Sequence, residues 1–493
     1  MNFGWLLPIL ILVPGLLGVA CLFLRSARAV LRLCAIGTLG VAAIAGAVTL
    51  HVFRFVPLFA GRSWFMLDAL SAYHLAVMMM VFSISALYGV IYFRDEVARG
   101  TFTDKQARRY GGLWFGSLAA MVLVLVSNNL GIMWVGIEAT TLLTAFLICI
   151  HPTAAALEAM WKYLLMCSVG VAVAFMGTLL IAASAQQTSL HGSDALLWTA
   201  LRDAVHQLDP ALLKAGFIFL VIGYGTKAGL APMHNWLPDA HSQAPSPVSA
   251  VFSGFLLNAA LYCILRFLPL VEAATGNTGW GRGILIALGL LSIVLAAMFI
   301  LFQRDIKRLL AYSSVEHVGL IALGVGLGGF GAVAALFHML SHSLAKTVSF
   351  ASAGMLGQSY GTHDLRHFQG IVRRVPVWGT SLVIGLLVLI GIAPFSIFLS
   401  EFFILKAALS QRAYWTACLL LVGLCVVFIS VLRSAIAMAW ESDTGVQASH
   451  RFKLSHGLLV FIPLAVLLVL GVWMPESFVQ ILIRASELLG GTP

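Results

Sequence analysis

Residues 215–241 read AGFIFLVIGYGTKAGLAPMHNWLPDAH, and this stretch decides the fold. Lys227 lies inside a long apolar run, and Gly229-Leu230-Ala231-Pro232 follows it directly. A proline within a helix removes a hydrogen bond and clashes with the preceding turn. In lipid, such a break is tolerated only where the freed backbone groups meet protein or water. The stretch therefore predicts a membrane helix that is broken beside an ionisable residue.

A second break of the same kind occurs in the other half of the chain. Gly391-Ile392-Ala393-Pro394 interrupts another long apolar segment, and Glu401 follows it within the same segment. Two ordinary proline kinks would also explain this pattern. Paired interrupted helices that each carry an ionisable residue are, however, typical of transporters built from inverted repeats, and they mark the ion path.

The composition extends this interpretation to the whole chain. Of the 493 residues, 61% are hydrophobic and only 10% are charged, and the mean hydropathy is +0.99. The apolar runs divide into about fourteen segments of the length that spans a bilayer. They show no period-two alternation, which argues against a membrane barrel. We therefore predict an all-α polytopic membrane protein with about fourteen transmembrane helices and two Pro-broken helices.

The loop charges predict the orientation in the membrane. Lys and Arg concentrate in the odd-numbered loops, for example at Arg25, Arg108 and Arg374, whereas the even-numbered loops carry few. Loops rich in Lys and Arg stay in the cytoplasm. We therefore expect a multi-pass protein of the bacterial inner membrane with both termini outside the cytoplasm. The same bias explains the net charge of +10 without a nucleic acid partner.

Ionisable residues inside the apolar segments are the first candidates for function, because each costs roughly 3 kcal/mol to insert. Lys227 and Lys346 lie deep among small residues, and Lys162 lies a turn or two inside its helix. The other basic residues lie toward predicted helix ends, where contact with lipid headgroups accounts for them: Lys214, Arg266, Lys406 and Arg433.

Three carboxylates also lie within apolar sequence: Glu138, Glu316 and Glu401. If Glu138 and Lys227 lie on facing helices, each would hold the other charged, and separating them would make a switchable proton site. An ion pair that only fixes the helix register is the alternative.

Histidines form the second group of candidates. His338, His342 and Lys346 recur at intervals of four residues, so they share one helix face over roughly 12 Å. His317 and its neighbouring serines add polar groups from the preceding helix. Such a series suits proton hopping. Hydrogen-bonded core histidines remain an alternative. Metal binding is only weakly indicated, because the seven cysteines are scattered and no matching ligand set is present. A haem bound by two histidines remains a further alternative.

Polar residues also follow the first break. His234, Asp239 and His241 lie at its cytoplasmic end by the loop charges, where they would form a proton entrance or cap the flanking helices.

The quoted residues carry a family resemblance. Lys227-Ala-Gly-Leu-Ala-Pro-Met-His-Asn-Trp-Leu-Pro-Asp-Ala-His241, followed by Ala-Pro-Ser-Pro-Val-Ser-Ala250, resembles the signature of the antiporter-like membrane subunits of respiratory complex I and its relatives. The local sequence is most similar to that of the F-type subunits of hydrogenase-4 and formate hydrogenlyase-type complexes. The supporting pieces include Ser-Ser-Val-Glu316-His317 and His338-Met-Leu-Ser-His342-Ser-Leu-Ala-Lys346.

The resemblance implies one transmembrane domain over residues 1–493, with inverted five-helix repeats at residues 111–268 and 281–438. It implies no catalytic centre and no cofactor on this chain. Other membrane-arm subunits and peripheral nickel–iron and iron–sulfur subunits would be the partners, with membrane lipids around them. One departure matters: Asn258 stands where most complex I relatives have a lysine in the eighth helix. Asparagine orients water but carries no proton as a charge.

The combined hypothesis is a proton path through the candidates named above. Protons would pass from the region of His234–His241 to Lys227, then to the histidines and out past Glu401. The full path is Glu138, Lys227, His317, His338, His342, Lys346 and Glu401, with Lys162, His234, Asp239, His241, Asn258 and Glu316 as accessory residues. Three rivals remain: a multi-subunit sodium/proton antiporter, an anchor subunit that has lost transport, and a haem-bearing redox enzyme.

Overall fold

The computed structural model describes residues 3–276, 278–440 and 453–490. Its helices are α1 (Leu6–Phe23), α2 (Ala27–Arg54), α3 (Ala69–Arg99), α4 (Asp104–Val126), α5 (Leu130–Ile148), α6 (Ala154–Ala183), α7 (Trp198–Asp203), α8 (Pro210–Ala228), α9 (Trp236–Gln243), α10 (Ser246–Val251), α11 (Leu257–Ala274), α12 (Trp280–Ile300), α13 (Ile306–Leu327), α14 (Phe330–Tyr360), α15 (Ile371–Arg374), α16 (Pro376–Leu389), α17 (Ser396–Ser410), α18 (Tyr414–Trp440), α19 (Leu454–Val472) and α20 (Glu476–Glu487). Strands β1 (Leu58–Ala60) and β2 (Phe65–Leu67) pair antiparallel between α2 and α3.

The all-α polytopic prediction is confirmed. Within the described ranges, 12 helices are long and apolar enough to cross a membrane, counting α10 and α11 as one. The other two predicted segments correspond to α14, whose residues from Gly331 to Gly357 are all buried, and to the broken pair α16 and α17. The total of fourteen spans and the inverted repeats stay predictions.

Both predicted breaks are present. One separates α8 from α9 and the other separates α16 from α17. Gly229 (φ +78°) and Gly391 (φ +68°) adopt the left-handed conformation that ends a helix without a side-chain clash. The Ala231–Pro232 and Ala393–Pro394 peptides are both cis. Beyond the first break, the Ala231 amide donates to Ser292 Oγ at 2.9 Å, so a side chain satisfies a freed backbone group.

The helices divide into an enclosed centre and an outer layer. The apolar stretches of α10–α11 and of α13 are 100% buried, whereas those of α1 and α18 are 28% buried. Glycines let two helix pairs approach closely: Gly170 and Gly177 of α6 face Gly223 and Gly216 of α8, and Gly289 of α12 faces α13. Small residues are the usual means of close helix packing in membranes. The enclosed centre is where most of the candidate residues lie.

The expectation that Arg266 contacts lipid headgroups is wrong. This residue lies in α11 and is 3% exposed. Its Nη1 and Nη2 donate to the two carboxylate oxygens of Asp68 at 2.6 Å each, and its Nε donates to Tyr262 Oη at 2.8 Å. Arg266 lies in the middle of α11, and the surrounding protein buries it, so the guanidinium cannot reach lipid headgroups. Asp68 also accepts from the Ser71 amide and so caps α3.

Lys307 is also more buried than its place in the sequence suggests. The loop-charge pattern assigned it to an exposed cytoplasmic loop, yet it is only 2% exposed. Its Nζ donates to the Ser242 and Ala244 carbonyls, where α9 ends and the link to α10 begins. Cations at a helix C-terminus satisfy its unpaired carbonyls, which accounts for this placement.

Candidate functional site

Lys227 lies in the last turn of α8 and is completely buried. Its Nζ donates to Thr141 Oγ1 at 3.0 Å and to Tyr163 Oη. Tyr163 Oη in turn lies 2.5 Å from Thr144 Oγ1. In the part of the chain that the structure describes, no carboxylate comes within ion-pair distance of Lys227. Hydroxyl groups of α5 and α6 therefore hold the ammonium.

Glu138 is half-buried on α5, and the direct ion pair with Lys227 that the sequence suggested is not formed. Glu138 Oε1 accepts from Ser168 Oγ at 2.9 Å, while its buried Oε2 meets no hydrogen-bond partner among the described residues. Thr141, which binds Lys227, lies three residues after Glu138 and so shares its helix face. The two charges act on each other electrostatically without touching. Glu138 and Lys227 are thus each held by hydroxyl groups, Glu138 by Ser168 and Lys227 by Thr141 and Tyr163.

Lys162 and Asp239 belong to a separate, more exposed cluster. Lys162 Nζ lies 2.6 Å from Glu158 Oε1 and 3.1 Å from Asp239 Oδ2, and Arg308 Nη1 lies 2.7 Å from Asp239 Oδ1. The Lys162 side chain is 47% exposed. Exposed ion pairs of this kind contribute little stability. The cluster joins α6, α9 and α13 at one end of the molecule.

The histidines come together as the sequence predicted. His317 Nδ1 lies 3.0 Å from His338 Nε2, and the rings of His317 and His342 lie 4.9 Å apart. His338 Nδ1 reaches Ser400 Oγ at 2.9 Å. Ser400 precedes Glu401, so a continuous hydrogen-bonded line runs from α13 through α14 to α17. Sequence reasoning missed Ser400, although its position beside Glu401 was a signal.

Lys346 and its neighbours are buried without full hydrogen bonding. Lys346 Nζ donates to the Leu310 carbonyl at 2.7 Å, and the Glu316 carboxylate acts on it electrostatically. Both ring nitrogens of His342, His317 Nε2 and Glu316 Oε2 meet no hydrogen-bond partner within the described structure. Buried polar atoms in this state normally bind ordered water. The region is therefore suited to a chain of water molecules.

Glu401 lies in the second turn of α17 and is 8% exposed. A Cβ atom on Gly391 would overlap Glu401 Oε2, so the carboxylate sits against the backbone of the second break. Glu316 and Glu401 also act on each other electrostatically. The break thus makes room for the acid that follows it.

Asn258 lies in the first turn of α11 and is completely buried. Its Nδ2 donates to the Gly254 carbonyl at 3.2 Å and to Ser343 Oγ at 3.1 Å, while Oδ1 has no partner among the described residues. A π-helical turn at Phe252–Leu256 directly precedes it. Such turns occur frequently at functional sites. Nearby, Ser253 Oγ lies 2.7 Å from Ser314 Oγ. Hydroxyl and amide groups therefore take the place of a central charge.

The residues after the first break do not form one group. His234 faces the rings of Phe299 and Tyr312, at centroid distances of 6.0 and 6.2 Å. His241 instead stacks on Phe350 of α14, with ring centroids 5.2 Å apart. Asp239 belongs to the exposed cluster described above. The three residues of the predicted entrance therefore lie in three different environments. Across the described ranges, no group of three His, Cys, Asp or Glu side chains could hold a metal ion.

Comparison with known proteins agrees with this geometry. Residues 127–430 match the family described as NADH:quinone oxidoreductase/Mrp antiporter, TM. A hydrogenase-4 component F homolog of Methylacidiphilum infernorum is 38% identical over 432 residues, which cover 87% of this chain and 89% of that protein.

Solved structures show the same fold. A chain of the membrane-bound sulfane sulfur reductase, an archaeal respiratory membrane complex, superposes with a TM-score of 0.86 at 25% identity, covering 100% of this chain and 98% of that one. A chain of the Mrp complex from a Dietzia species gives 0.85 at 19% identity, covering 99% and 98%, which shows the fold alone. Family match, relatives and fold together show that this chain belongs to the NADH:quinone oxidoreductase/Mrp antiporter family, as an antiporter-like subunit of the complex I and membrane-bound hydrogenase type.

Proposed function

We propose that this chain conducts protons as a membrane subunit of a redox-driven complex of the hydrogenase-4 type. One observation carries the proposal: buried ionisable groups, hydroxyls and incompletely bonded polar atoms extend from Lys227 to Glu401 through the enclosed centre. Charged and titratable groups are expensive inside a membrane protein and mark ion paths. The name of the M. infernorum relative supports the assignment to a hydrogenase-4 type complex.

The first step is the exchange of a proton at Lys227. Its ammonium is held by Thr141 and Tyr163, and no neighbouring carboxylate among the described residues neutralises it directly. The charge state of Lys227 therefore depends on Glu138, whose own bond to Ser168 can form or break. A movement of α5 relative to α8 would change the distance between the two charges, and so the readiness of Lys227 to release its proton.

The central step passes Asn258 through water and hydroxyl groups. Asn258 Oδ1 can orient a water molecule, and the Ser253–Ser314 contact supplies two more hydroxyls beside it. No side chain needs to carry a charge there, because a proton can move along hydrogen-bonded water and hydroxyl groups. This arrangement accommodates the absence of the lysine found in many relatives.

The final step uses the hydrogen-bonded line that runs from His317 through His338 to Ser400, the residue before Glu401. In the His317–His338 bond one ring nitrogen donates and the other accepts, and the same holds between His338 and Ser400. A proton that arrives at one end exchanges these roles along the line and leaves at the other. His342, Lys346 and Glu316 border this line and set the local charge.

The loop charges and the relatives suggest the surroundings of the chain. We place it in the bacterial inner membrane, with odd-numbered loops in the cytoplasm and both termini outside. Other membrane-arm subunits would adjoin it, and peripheral nickel–iron and iron–sulfur subunits would supply the redox energy. This chain itself would carry no cofactor, and protons would be its cargo.

Lys227→Ala tests the path. We expect the variant to assemble into its complex and to transfer electrons, while proton uptake into sealed vesicles, followed with a pH-sensitive dye, falls to background. Lys214→Ala is the matched control, because Lys214 lies on the same helix and its Nζ faces the Trp280 ring, 5.7 Å from the ring centre. Normal pumping by Lys227→Ala would show that the assigned path is wrong.

A sodium/proton antiporter is the second candidate, and the Mrp-type fold favours it. Ion flux measured with and without sodium separates the two. If proton movement in the vesicles required sodium on the opposite side and no electron donor, exchange would replace redox-driven pumping.

A further inference from the structure

A polar cavity of about 480 Å³ opens at the end of the molecule where the odd-numbered loops meet. It is bordered by the link from α9 to α10 at Ser242–Pro245, by the start of α13, and by the loop after α14. Its ionisable lining residues are His151, Arg304, Asp305, Lys307, His363 and Asp364. The path proposed above uses none of these side chains.

Lys307 forms the inner boundary of this cavity. Its Nζ is bound to two carbonyls of the α9–α10 link, so the buried cation holds the segment that carries His241. The charge of Lys307 acts on His363 on the cavity side and on His241 on the inner side. Lys307 therefore stands between a polar cavity and a buried histidine.

His241 is the buried group behind that boundary. It is 0% exposed, and both of its ring nitrogens are buried without a hydrogen-bond partner among the described residues. An imidazole needs one donor and one acceptor contact when it is buried, and water supplies them where the protein does not. The ring thus requires water at both of its nitrogens.

The inner side of His241 faces the histidine and lysine residues of α14. His241 stacks on Phe350, which lies one helical turn after Lys346 and two turns after His342. The charge on Lys346 acts on both His241 and His342, and His241 acts on His342. His342 likewise has two unpartnered ring nitrogens within the described ranges. Within the described structure, unpartnered ring nitrogens therefore occur both at His241 and at His342 on α14.

We infer that this cavity is a second cytoplasmic proton entrance, which loads the His342–Lys346 site through Lys307 and His241 without passing Lys227 or Asn258. The inference rests on the proposed function, since this entrance supplies the same exit line and delivers protons only while Lys227 exchanges its own, so that Lys227→Ala still stops all uptake. In it, Lys307 is a positioning residue that keeps the α9–α10 link closed, and His241 accepts a proton from cavity water and passes it inward. Because the chain has no central lysine, this entrance would give its second half a separate supply of protons.

His241→Ala tests the relay in the intact complex, in sealed vesicles driven by its own electron donor. We expect proton uptake per electron to fall below that of the native complex without being abolished, because one of the two entrances is closed and the other remains. Added imidazole should restore uptake, because it fits the cavity and can replace the missing ring. His74→Ala is the matched control, because among the described residues this buried histidine of α3 hydrogen-bonds only the Leu70 carbonyl. It should keep normal uptake and show no response to imidazole.

Two outcomes overturn the inference. One is normal uptake in His241→Ala, and the other is a loss that imidazole does not restore in an assembled complex, which would make the residue merely structural. Either result leaves the proposed function intact as long as Lys227→Ala stops pumping, so the two failures are distinguishable.

A second measurement keeps the inference testable if His241→Ala fails to assemble. In His363→Cys, a membrane-impermeant thiol reagent added from the cytoplasmic side should label the cysteine, and labelling should slow proton uptake. An unreactive cysteine, or labelling without effect on uptake, would contradict an open entrance at this cavity.

Discussion

At the scale of single residues, buried charges in this protein are stabilised in two different ways. Arg266 and Asp68 form a close pair with parallel hydrogen bonds, and Tyr262 satisfies a further donor. Lys227, in contrast, has only hydroxyl partners in the described structure. A close pair is costly to separate, whereas hydroxyl groups hold an ammonium that can lose its proton. The first arrangement suits structure and the second suits proton exchange.

This difference leads to a prediction for the Arg266 pair. Asp68→Asn or Arg266→Met alone should destabilise the protein by about 3–5 kcal/mol, because each leaves an unpaired buried group. The double variant Asp68→Asn/Arg266→Met should recover part of that loss, since no charge then remains. Thermal unfolding of the purified protein in detergent measures all three. Equal stability of the single variants and the native chain would mean that the pair is hydrated and weak.

At the scale of elements, close contacts between helices depend on glycine. Gly223 of α8 lies against the Gly170 carbonyl and Ala174 of α6, where an added Cβ would overlap the neighbouring backbone. This contact sets how near Lys227, on α8, can come to Tyr163, on α6. The position of the proton site therefore follows from residues that carry no polar side chain.

We expect Gly223→Ala to push α6 and α8 apart and to destabilise the protein by about 1–3 kcal/mol, as overpacking does in other cores. The matched control is Gly40→Ala in α2, because a Cβ there meets nothing within 4 Å. Alanine is the better helix former, so the control should be neutral or slightly stabilised. Thermal unfolding compares the two. Indistinguishable unfolding temperatures would mean that the helices adjust without cost.

Among the elements, the two helix breaks and the grouping of the histidines could be predicted from the sequence. Both breaks were predictable, because Gly229 with Pro232 and Gly391 with Pro394 act through local backbone chemistry. The grouping of His338 and His342 followed from helical periodicity alone.

Other features depend on how helices pack, and the sequence could not supply them. Whether lipid or protein surrounds Arg266 depends on how α11 packs against other helices, and no local sequence pattern indicates which of the two it is. The same holds for the hydroxyl groups around Lys227, which come from α5 and α6. The π-helical turn before Asn258 also has no signal in the residue types that form it.

At the scale of the whole molecule, the buried polar groups lie in the enclosed central helices, while α1 and α18 expose most of their apolar side chains. Polar cavities open where the odd-numbered loops lie, for instance around Glu96 and His151. An entrance on this side requires that the odd-numbered loops face the cytoplasm.

The orientation can be measured directly with single cysteines. Thr101→Cys, in the exposed loop after α3, should react with a membrane-impermeant thiol reagent only from the cytoplasmic side. Gln411→Cys, in the exposed loop between α17 and α18, should react only from the opposite side. The unmodified chain provides the background from native cysteines. The reversed pattern would invert the direction of the proposed proton path.

The contact between Glu401 and Gly391 has a consequence for how this chain can change over evolutionary time. The carboxylate occupies the space that any side chain at position 391 would need. A lineage that replaces the glycine must therefore first shorten or remove the acid, and one that keeps the acid keeps the glycine. The acid therefore depends on the backbone break that precedes it, whereas the glycine would still be favoured without the acid, because its backbone is left-handed.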